Sequence, residues 1–407
     1  MRLLLIADGR SPITARWIES IGRLNIQLIF VSTYPCRRPE TAEAFYVLPA
    51  AFARYAGSQI RKDSGASNKA GGNGTIKRFR NLFMRVRGLF GPLTLPFYRR
   101  KLRRIIRQTQ PDLVHALRIP FEGMLGAGVP PNIPFAVSIW GNDLTLHAKS
   151  SPLMSWATRQ TLHRADGLLS DTARDIRLAR VWGLTQSKPT LEVPGNGGLD
   201  FCAVRTTAIE GKSSLYWLPT DRHIVINPRG FRPGSVRSDT FFKSIPLILS
   251  IFPDTLFLCP SMEGQPEALA WIEQLKIEKS VILLPTLKQS DLWPLFMRAE
   301  VTVSISQHDG TPNSLLEAMA LGCFPIAGDI ESMREWITPG RNGMLVDPNE
   351  PEQLAAAVVS TLKNPELQER AAVLNEEIIR SRVEISAVTP SIGVFYNRLL
   401  TREGSNE

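Results

Sequence analysis

Twice along its 407 residues this chain runs through one pattern: short apolar runs separated by longer amphipathic stretches. The first set of runs falls at residues 3–6, 27–31, 113–115, 135–139, 167–170 and 190–193. The second falls at residues 224–227, 255–259, 281–284, 301–305, 324–327 and 344–346. Runs this short and this apolar suit strands buried on both faces. With helical stretches between them, such as the one at about residues 13–24, they predict right-handed βαβ units and parallel sheets covered by helices. So many strands exceed one ordinary open sheet, so two sheets are expected. The break is placed after Pro194-Gly195-Asn196-Gly197-Gly198, a glycine-rich turn just before Asp200. The expected architecture is α/β, two Rossmann-like domains facing across a cleft. The first spans residues 1–203 with a basic insertion at 57–107, and the second spans 204–385. A last helix, 386–407, is expected to return to the first domain. In such sheets ligands bind at the carboxyl ends of the strands.

Composition excludes several classes. Hydrophobic residues make up 43% of the chain, enough for real cores and too many for a disordered one. The cysteines, at 36, 202, 259 and 323, form no CxxC pair, which argues against a disulfide framework or a structural zinc site. A reducing, cytosolic setting fits this usage best. No apolar run reaches the roughly 18 residues that a membrane span needs. The opening Met1-Arg2-Leu3-Leu4-Leu5-Ile6-Ala7-Asp8 has too short an apolar core for a signal peptide and reads as a first strand.

The net charge of +10 is local. Between Asp63 and Asp112 no acidic residue occurs, while Lys69, Lys77, Arg78, Arg80, Arg85, Arg87, Arg99, Arg100, Lys101, Arg103, Arg104 and Arg107 do. This one segment outweighs the net charge of the whole chain. Phe79, Leu82, Phe83, Met84, Leu89, Phe90, Leu93, Leu95, Phe97 and Tyr98 are interleaved with the basic residues. Cationic and apolar groups together suit an anionic lipid surface; the plainer reading is a solvated pair of basic helices. Residues 57–75, rich in Gly, Ser, Asn and Lys, read as a mobile loop, and residues 402–407 as a frayed tail.

Three segments end strands with polar residues. In the first, Ser304 to Gly322, a strand runs through Asp309, Gly310, Thr311, Pro312 and Asn313 into a helix. Ser314 and Glu317 fit the S-x-x-E capping box, which predicts a helix start at Asn313 or Ser314 and an end at Gly322. A helix start presents amide N–H groups and the positive end of a dipole, which suits an anion. On the plainer reading Glu317 only caps and Asp309 only turns the chain. The second segment carries Arg229, Arg232 and Arg237 among glycines and prolines, a loop able to offer guanidinium groups to phosphates. In the third, Trp140, Gly141, Asn142 and Asp143 follow a strand of the first half and are expected to face the cleft. Gly9, after the first strand, is placed where a ligand could approach closely, whereas His115 reads as a satisfied structural histidine. No GxGxxG fingerprint, Walker A loop, HExxH or GxSxG is present.

Taken together these residues resemble the retaining nucleotide-sugar glycosyltransferases of family 4, which have the GT-B fold. The most specific part is Asp309, seven residues, then Glu317-Ala318-Met319-Ala320-Leu321-Gly322, where the family usually has Glu in the first position. Phe324 to Asp329, Glu331 to Glu335 and Gly340 to Val346 also follow the family pattern. Arg229 matches the arginine that binds the donor diphosphate, and Arg237 lies where lysine is usual. Arg16-Trp17 and Trp140 to Asp143 resemble a subset of the family; Thr14 and Trp140 stand where that subset often has His.

The resemblance implies transfer of a hexosyl-type group from a nucleotide diphosphate donor to an acceptor hydroxyl, with retention and without a metal or cofactor. It places Arg229, Arg237 and the amides of Gly310 to Ser314 on the diphosphate, Glu317 on the ribose and Asp309 on the donor sugar. Gly9, Trp140, Asn142 and Asp143 are then acceptor-side residues. The expected acceptor is a saccharide or lipid-linked molecule of cell-surface polysaccharide or glycolipid synthesis. The expected place is cytoplasmic, peripheral on the inner face of an anionic membrane. Two alternatives are a sugar-nucleotide 2-epimerase of the same fold and a nucleic-acid-binding protein using the basic segment. The first lacks a matching set of acid/base carboxylates. The second lacks an aromatic-stacking or groove-reading module.

Overall fold

The computed structural model describes residues 1–53 and 87–401. The expected loop at 57–75, the tail at 402–407 and residues 76–86 of the basic segment lie outside the described residues.

The chain divides into two compact units, Met1–Gly197 with Thr389–Glu407, and Gly198–Val388. The first holds a seven-stranded sheet of β1 (Arg2–Ala7), β2 (Gln27–Ser32), β3 (Ala42–Val47), β4 (Leu113–Ala116), β5 (Phe135–Ile139), β6 (Gly167–Ser170) and β7 (Thr190–Glu192). Their order is β3-β2-β1-β4-β5-β6-β7, and every pairing is parallel. The centre of the sheet is dry: Leu3, Leu4, Leu5 and Ile6 are fully buried, with Leu4 opposite both Ile29 and Val114. β3 has no counterpart among the expected strands. It is an edge strand in which only Ala42 is fully buried, and Glu43 interrupts the apolar run that would have marked it.

The second unit holds β8 (Ile224–Ile226), β9 (Leu256–Cys259), β10 (Val281–Leu283), β11 (Val301–Ser304), β12 (Phe324–Gly328) and β13 (Met344–Val346). The order is β10-β9-β8-β11-β12-β13, again parallel throughout. All six strands coincide with runs expected from the sequence. In both units the chain winds outward on one side, then returns to the centre and winds the other way. The reversal lies between β1 and β4 in the first unit and between β8 and β11 in the second.

The first junction falls between Gly197 and Gly198, at the glycine-rich turn where the break is expected and a few residues ahead of the expected domain bound at 203; the helix Phe201–Glu210 follows it. Asp200 caps that helix by accepting from the Ala203 N–H at 2.9 Å, and Phe201, Val204 and Ala208 pack into the core of the second unit. The chain returns to the first unit within its last helix, Ile385–Leu400. There Thr389 Oγ1 meets Ser20 Oγ at 2.9 Å, and Phe395 and Leu399 lie against Gly167, where a Cβ would meet Phe395 Cζ at 2.7 Å. Among the described residues no helix is long and apolar enough to cross a membrane.

Candidate functional site

In the second unit the polar residues past β8 and β11 meet at the point where the strand order reverses. Arg229, three residues beyond β8, is almost fully buried at 6% exposure. Its backbone N–H donates to Asn227 Oδ1 at 3.2 Å, which fixes the turn, and Gly230 follows with φ +63°. The Arg229 guanidinium forms an ion pair through Nη2 with Asp309 and reaches Ser314 Oγ through Nη1 at 3.5 Å. Ser306 Oγ donates to Asp309 Oδ2 at 3.0 Å, and the Gly310 N–H donates to Oδ1 at 3.1 Å. Arg229 Nε is buried with no acceptor among the described residues. A buried cationic donor without a partner is costly, and a ligand oxygen would relieve that cost.

The helix beside it runs over Asn313–Ala320, so the start expected at Asn313 agrees. The capping box does not form. Pro312 occupies the N-cap, with its carbonyl accepting from the Leu315 N–H at 2.9 Å, and Ser314 lies inside the first turn. Glu317 is therefore too far along the helix to reach back to the cap. It is buried at 2% exposure and accepts from Gln289 Nε2 at 2.8 Å. Thr311 Oγ1 accepts from the buried Trp336 Nε1 at 2.9 Å, and Ser332 Oγ holds the Asp309 carbonyl at 2.9 Å. The turn Asp309 to Pro312 is thus braced from the segment after β12. Ser306, Gln289 and Trp336 were not singled out from the sequence, since nothing local distinguishes them from ordinary surface or core residues.

Arg237 is placed differently from Arg229. Its Nε and Nη2 fork Asp239 at 2.8 and 2.7 Å, and Nη1 donates to Asn349. The hydrogen bonds it donates to Asp239 hold its pKa above the usual value. Arg232 has no acid partner in ion-pair contact among the described residues, and the nearby Arg229 charge, then burial, lowers its pKa. Two like charges face each other around one acid, a surplus of positive charge at the switch point.

In the first unit Asp143 is wholly buried rather than open. Its carboxylate accepts from Arg118 Nη2 at 2.7 Å and from the backbone N–H groups of Ile119 at 3.0 Å and Trp140 at 3.2 Å. It ties the end of β5 to the end of β4. Trp140 and Asn142 stay half-buried, and Arg118 lies 4.9 Å over the Trp140 ring. The space beside Gly9 is taken by the chain itself: a Cβ there would collide with Cys36 Sγ and crowd Ser32 Oγ at 3.0 Å. His115 is buried between Tyr396 Oη and Ser138 Oγ, each at 2.8 Å, and burial holds its pKa down to about 3.

Two doubly wound parallel units in one chain, with polar residues gathered at the switch point of each sheet, define the GT-B class of fold. Residues 258–374 match the family model of the glycosyl transferases group 1, and residues 72–194 match that of the glycosyl transferase 4-like domain. Between them these matches take in more than half of the chain, which belongs to the glycosyltransferases. A curated relative, D-inositol 3-phosphate glycosyltransferase of Thermobispora bispora, is 24% identical over 255 residues. That match covers 60% of this chain and 58% of the relative. Among solved structures, sucrose-phosphate synthase of Thermosynechococcus elongatus superposes with a TM-score of 0.74 at 14% identity, covering 99% of this chain and 100% of the other. Anabaena Alr3699/HepE, solved in complex with UDP-glucose, gives 0.70 at 14% identity over 98% and 100%. An alpha,alpha-trehalose-phosphate synthase (UDP-forming) of Burkholderia vietnamiensis gives 0.73 at 12% identity over 100% and 98%. At these identities the likeness is one of fold.

Proposed function

We propose that this chain transfers a sugar from a nucleotide diphosphate to an acceptor hydroxyl, with retention at the anomeric carbon. One observation carries the reading. Arg229, with its buried and unpartnered Nε, stands at the switch point of the second sheet beside the N-terminus of the helix Asn313–Ala320. A guanidinium and a helix dipole converging on one spot suit a diphosphate. The Anabaena neighbour, solved with UDP and with UDP-glucose, supports the same donor class.

In this reading the bond from the anomeric carbon to the phosphate oxygen breaks on the face where the acceptor hydroxyl enters. The departing phosphate oxygen takes the acceptor proton, and nucleoside diphosphate leaves. Charge builds on the leaving diphosphate, and Arg229 and the amides at the helix start are preorganised to meet it. Asp309 is assigned to the donor sugar and Glu317 to the ribose. Arg237 is tied to Asp239 and Asn349, so Arg232 is the better placed second cation for the phosphates. Activity is expected to persist in chelator.

The acceptor is assigned to the first unit, as a saccharide or lipid-linked molecule, with the protein resting on an anionic membrane. Leu89, Phe90, Leu93 and Phe97 are exposed, Leu93 at 63%, and Arg100, Lys101 and Arg104 share one helix face with Phe97.

The test is release of nucleoside diphosphate from a panel of nucleotide sugars, with calorimetric titration of the diphosphates. Removing a buried charge-assisted contact costs about 2–5 kcal/mol in complexes. Arg229→Ala is therefore expected to weaken nucleoside diphosphate binding far more than nucleoside binding. Equal weakening of both ligands would move Arg229 off the phosphates, and a panel with no release would remove the transferase reading.

A further inference from the structure

In the first unit the strand order reverses between β1 and β4, so the ligand crevice opens beyond the ends of these two strands. The groups gathered there are largely cationic. Arg10 follows β1, Arg118 follows β4, and Arg87 comes in from the basic segment. Tyr34, just past β2, has Arg10 Cζ 3.5 Å and Arg87 Cζ 5.1 Å from its ring centroid. Arg87 also lies 4.4 Å from the centre of Phe121.

The acids nearby cancel only part of this charge. Arg10 is paired with Asp8 at 3.0 Å and Arg118 with Asp143 at 2.7 Å. Arg87 has no carboxylate within ion-pair distance among the described residues. Glu122 accepts from Thr33 Oγ1 at 2.6 Å, and burial pushes its pKa up against the pull of Arg118 and, more weakly, of Arg87. His147 is held down to about 4 by burial and then by Arg118, with Arg87 adding to the effect. Most telling are two atoms: Arg87 Nε and Arg118 Nε are both buried with no acceptor among the described residues. Two guanidinium groups with orphaned donors, Arg87 against Tyr34 and Phe121 and Arg118 over Trp140, both close enough to act on Glu122 and His147, match the planar, multiply accepting face of an oxyanion.

We propose that Arg87 and Arg118, flanked by Arg10 and Tyr34, bind a phosphate group carried by the acceptor. This rests on the transferase reading above and narrows it to acceptors bearing phosphate, either as a soluble sugar phosphate or at the head of a lipid.

The full chain is titrated with glucose 6-phosphate and with glucose, under saturating nucleoside diphosphate so that the Arg229 site is filled. In parallel it is sedimented with phosphatidylcholine vesicles, with and without phosphatidic acid. A charge-assisted contact predicts that a phosphate probe binds at least about tenfold tighter than its neutral counterpart. Arg87→Gln should remove at least about tenfold of that affinity, Arg87→Lys should restore part of it, and Arg37→Gln, an exposed change on the same unit, should not alter it. Arg87-dependent binding of glucose 6-phosphate identifies a soluble phosphate. Arg87-dependent sedimentation with phosphatidic acid alone identifies a lipid headgroup. If neither probe responds to Arg87→Gln while wild-type protein still binds nucleoside diphosphate, the phosphate site is wrong and the transferase reading stands. If nucleoside diphosphate itself fails to bind, the transferase reading fails first.

Discussion

Asp309 and Glu317 are both acids of one motif, yet their surroundings differ. Asp309 already spends its oxygens on Arg229, Ser306 and Gly310, whereas Glu317 is buried against Gln289. Asp309→Asn removes the anion that competes with phosphate for Arg229. Nucleoside diphosphate affinity should therefore hold or rise while turnover falls. Glu317→Gln should weaken the same ligand; calorimetry on the two variants decides, and equal losses would merge the two roles. The motif spacing made both acids visible in the sequence, but the S-x-x-E pattern pointed to a cap that Pro312 in fact provides. A capping signature depends on which residue starts the helix, and Thr-Pro-Asn-Ser offers several starts. His115 was legible as structural because it ends an apolar strand, and its burial makes a prediction about pH. Its pKa is near 6.5 in the unfolded chain and about 3 when folded. Above pH 6.5 both states are neutral there and nothing changes. As pH falls from 6.5 towards 3 the unfolded chain gains a proton that the fold refuses, so stability is lost. Between pH 6.5 and 4.5 wild type should lose about 2 kcal/mol more than His115→Gln. Urea midpoints at the two pH values would show it, and parallel slopes would contradict it.

At the scale of elements, the helix Leu95–Thr109 sorts its basic residues onto two faces that its charge pattern runs together. Leu95, Leu102, Ile105 and Ile106 are buried against the first unit. Arg99 caps the Met124 carbonyl through Nη2 at 2.6 Å and Nε at 3.1 Å, and Arg103 Nε donates to the Gly128 carbonyl at 2.9 Å. These two arginines hold the fold. Arg100, Lys101 and Arg104 face outward with Phe97, over whose ring Lys101 Nζ sits at 4.5 Å. Reversing the charge at Arg100, Lys101 and Arg104 should abolish sedimentation with anionic vesicles at low salt, at on the order of 1 kcal/mol per residue, and leave the thermal midpoint near wild type. Reversal at Arg99 and Arg103 should lower the midpoint. Vesicle binding that survives the outward triple change would end the membrane assignment. A run of arginines in sequence cannot show this division, because it depends on which carbonyls the neighbouring segment leaves within reach. The central strands, by contrast, were legible because burial on both faces leaves an apolar run. β3 was not legible because an edge strand is buried on too little of its surface to need one.

For the molecule as a whole, the repeated alternation of strand and helix was enough to foresee two parallel sheets. The clustering of Arg229 with Asp309, and of Arg10 with Arg118, required the strand order: each pair is distant in sequence and joined only by the reversal at the sheet centre. The return of the chain end is likewise a product of topology, and it can be tested. From Thr389 onward the last helix belongs to the first unit, where Ile392, Phe395, Tyr396 and Leu399 are buried and Tyr396 Oη meets His115. Losing four such side chains removes about 1.5–3 kcal/mol each, a sum comparable to the whole stability of a domain. It also strips His115 of a partner and uncovers Gly167 on β6. The second unit keeps its own cores and its Arg229 site in such a truncation. A chain ending at Val388 should therefore lose hydrogen-exchange protection in β1, β4, β5 and β6 while retaining it in β8, β11 and β12. Nucleoside diphosphate should still raise the unfolding temperature of what remains folded. If protection of the first sheet survives the truncation, the last helix is only an appendage; if the diphosphate no longer stabilises anything, the donor site needs more than the second unit.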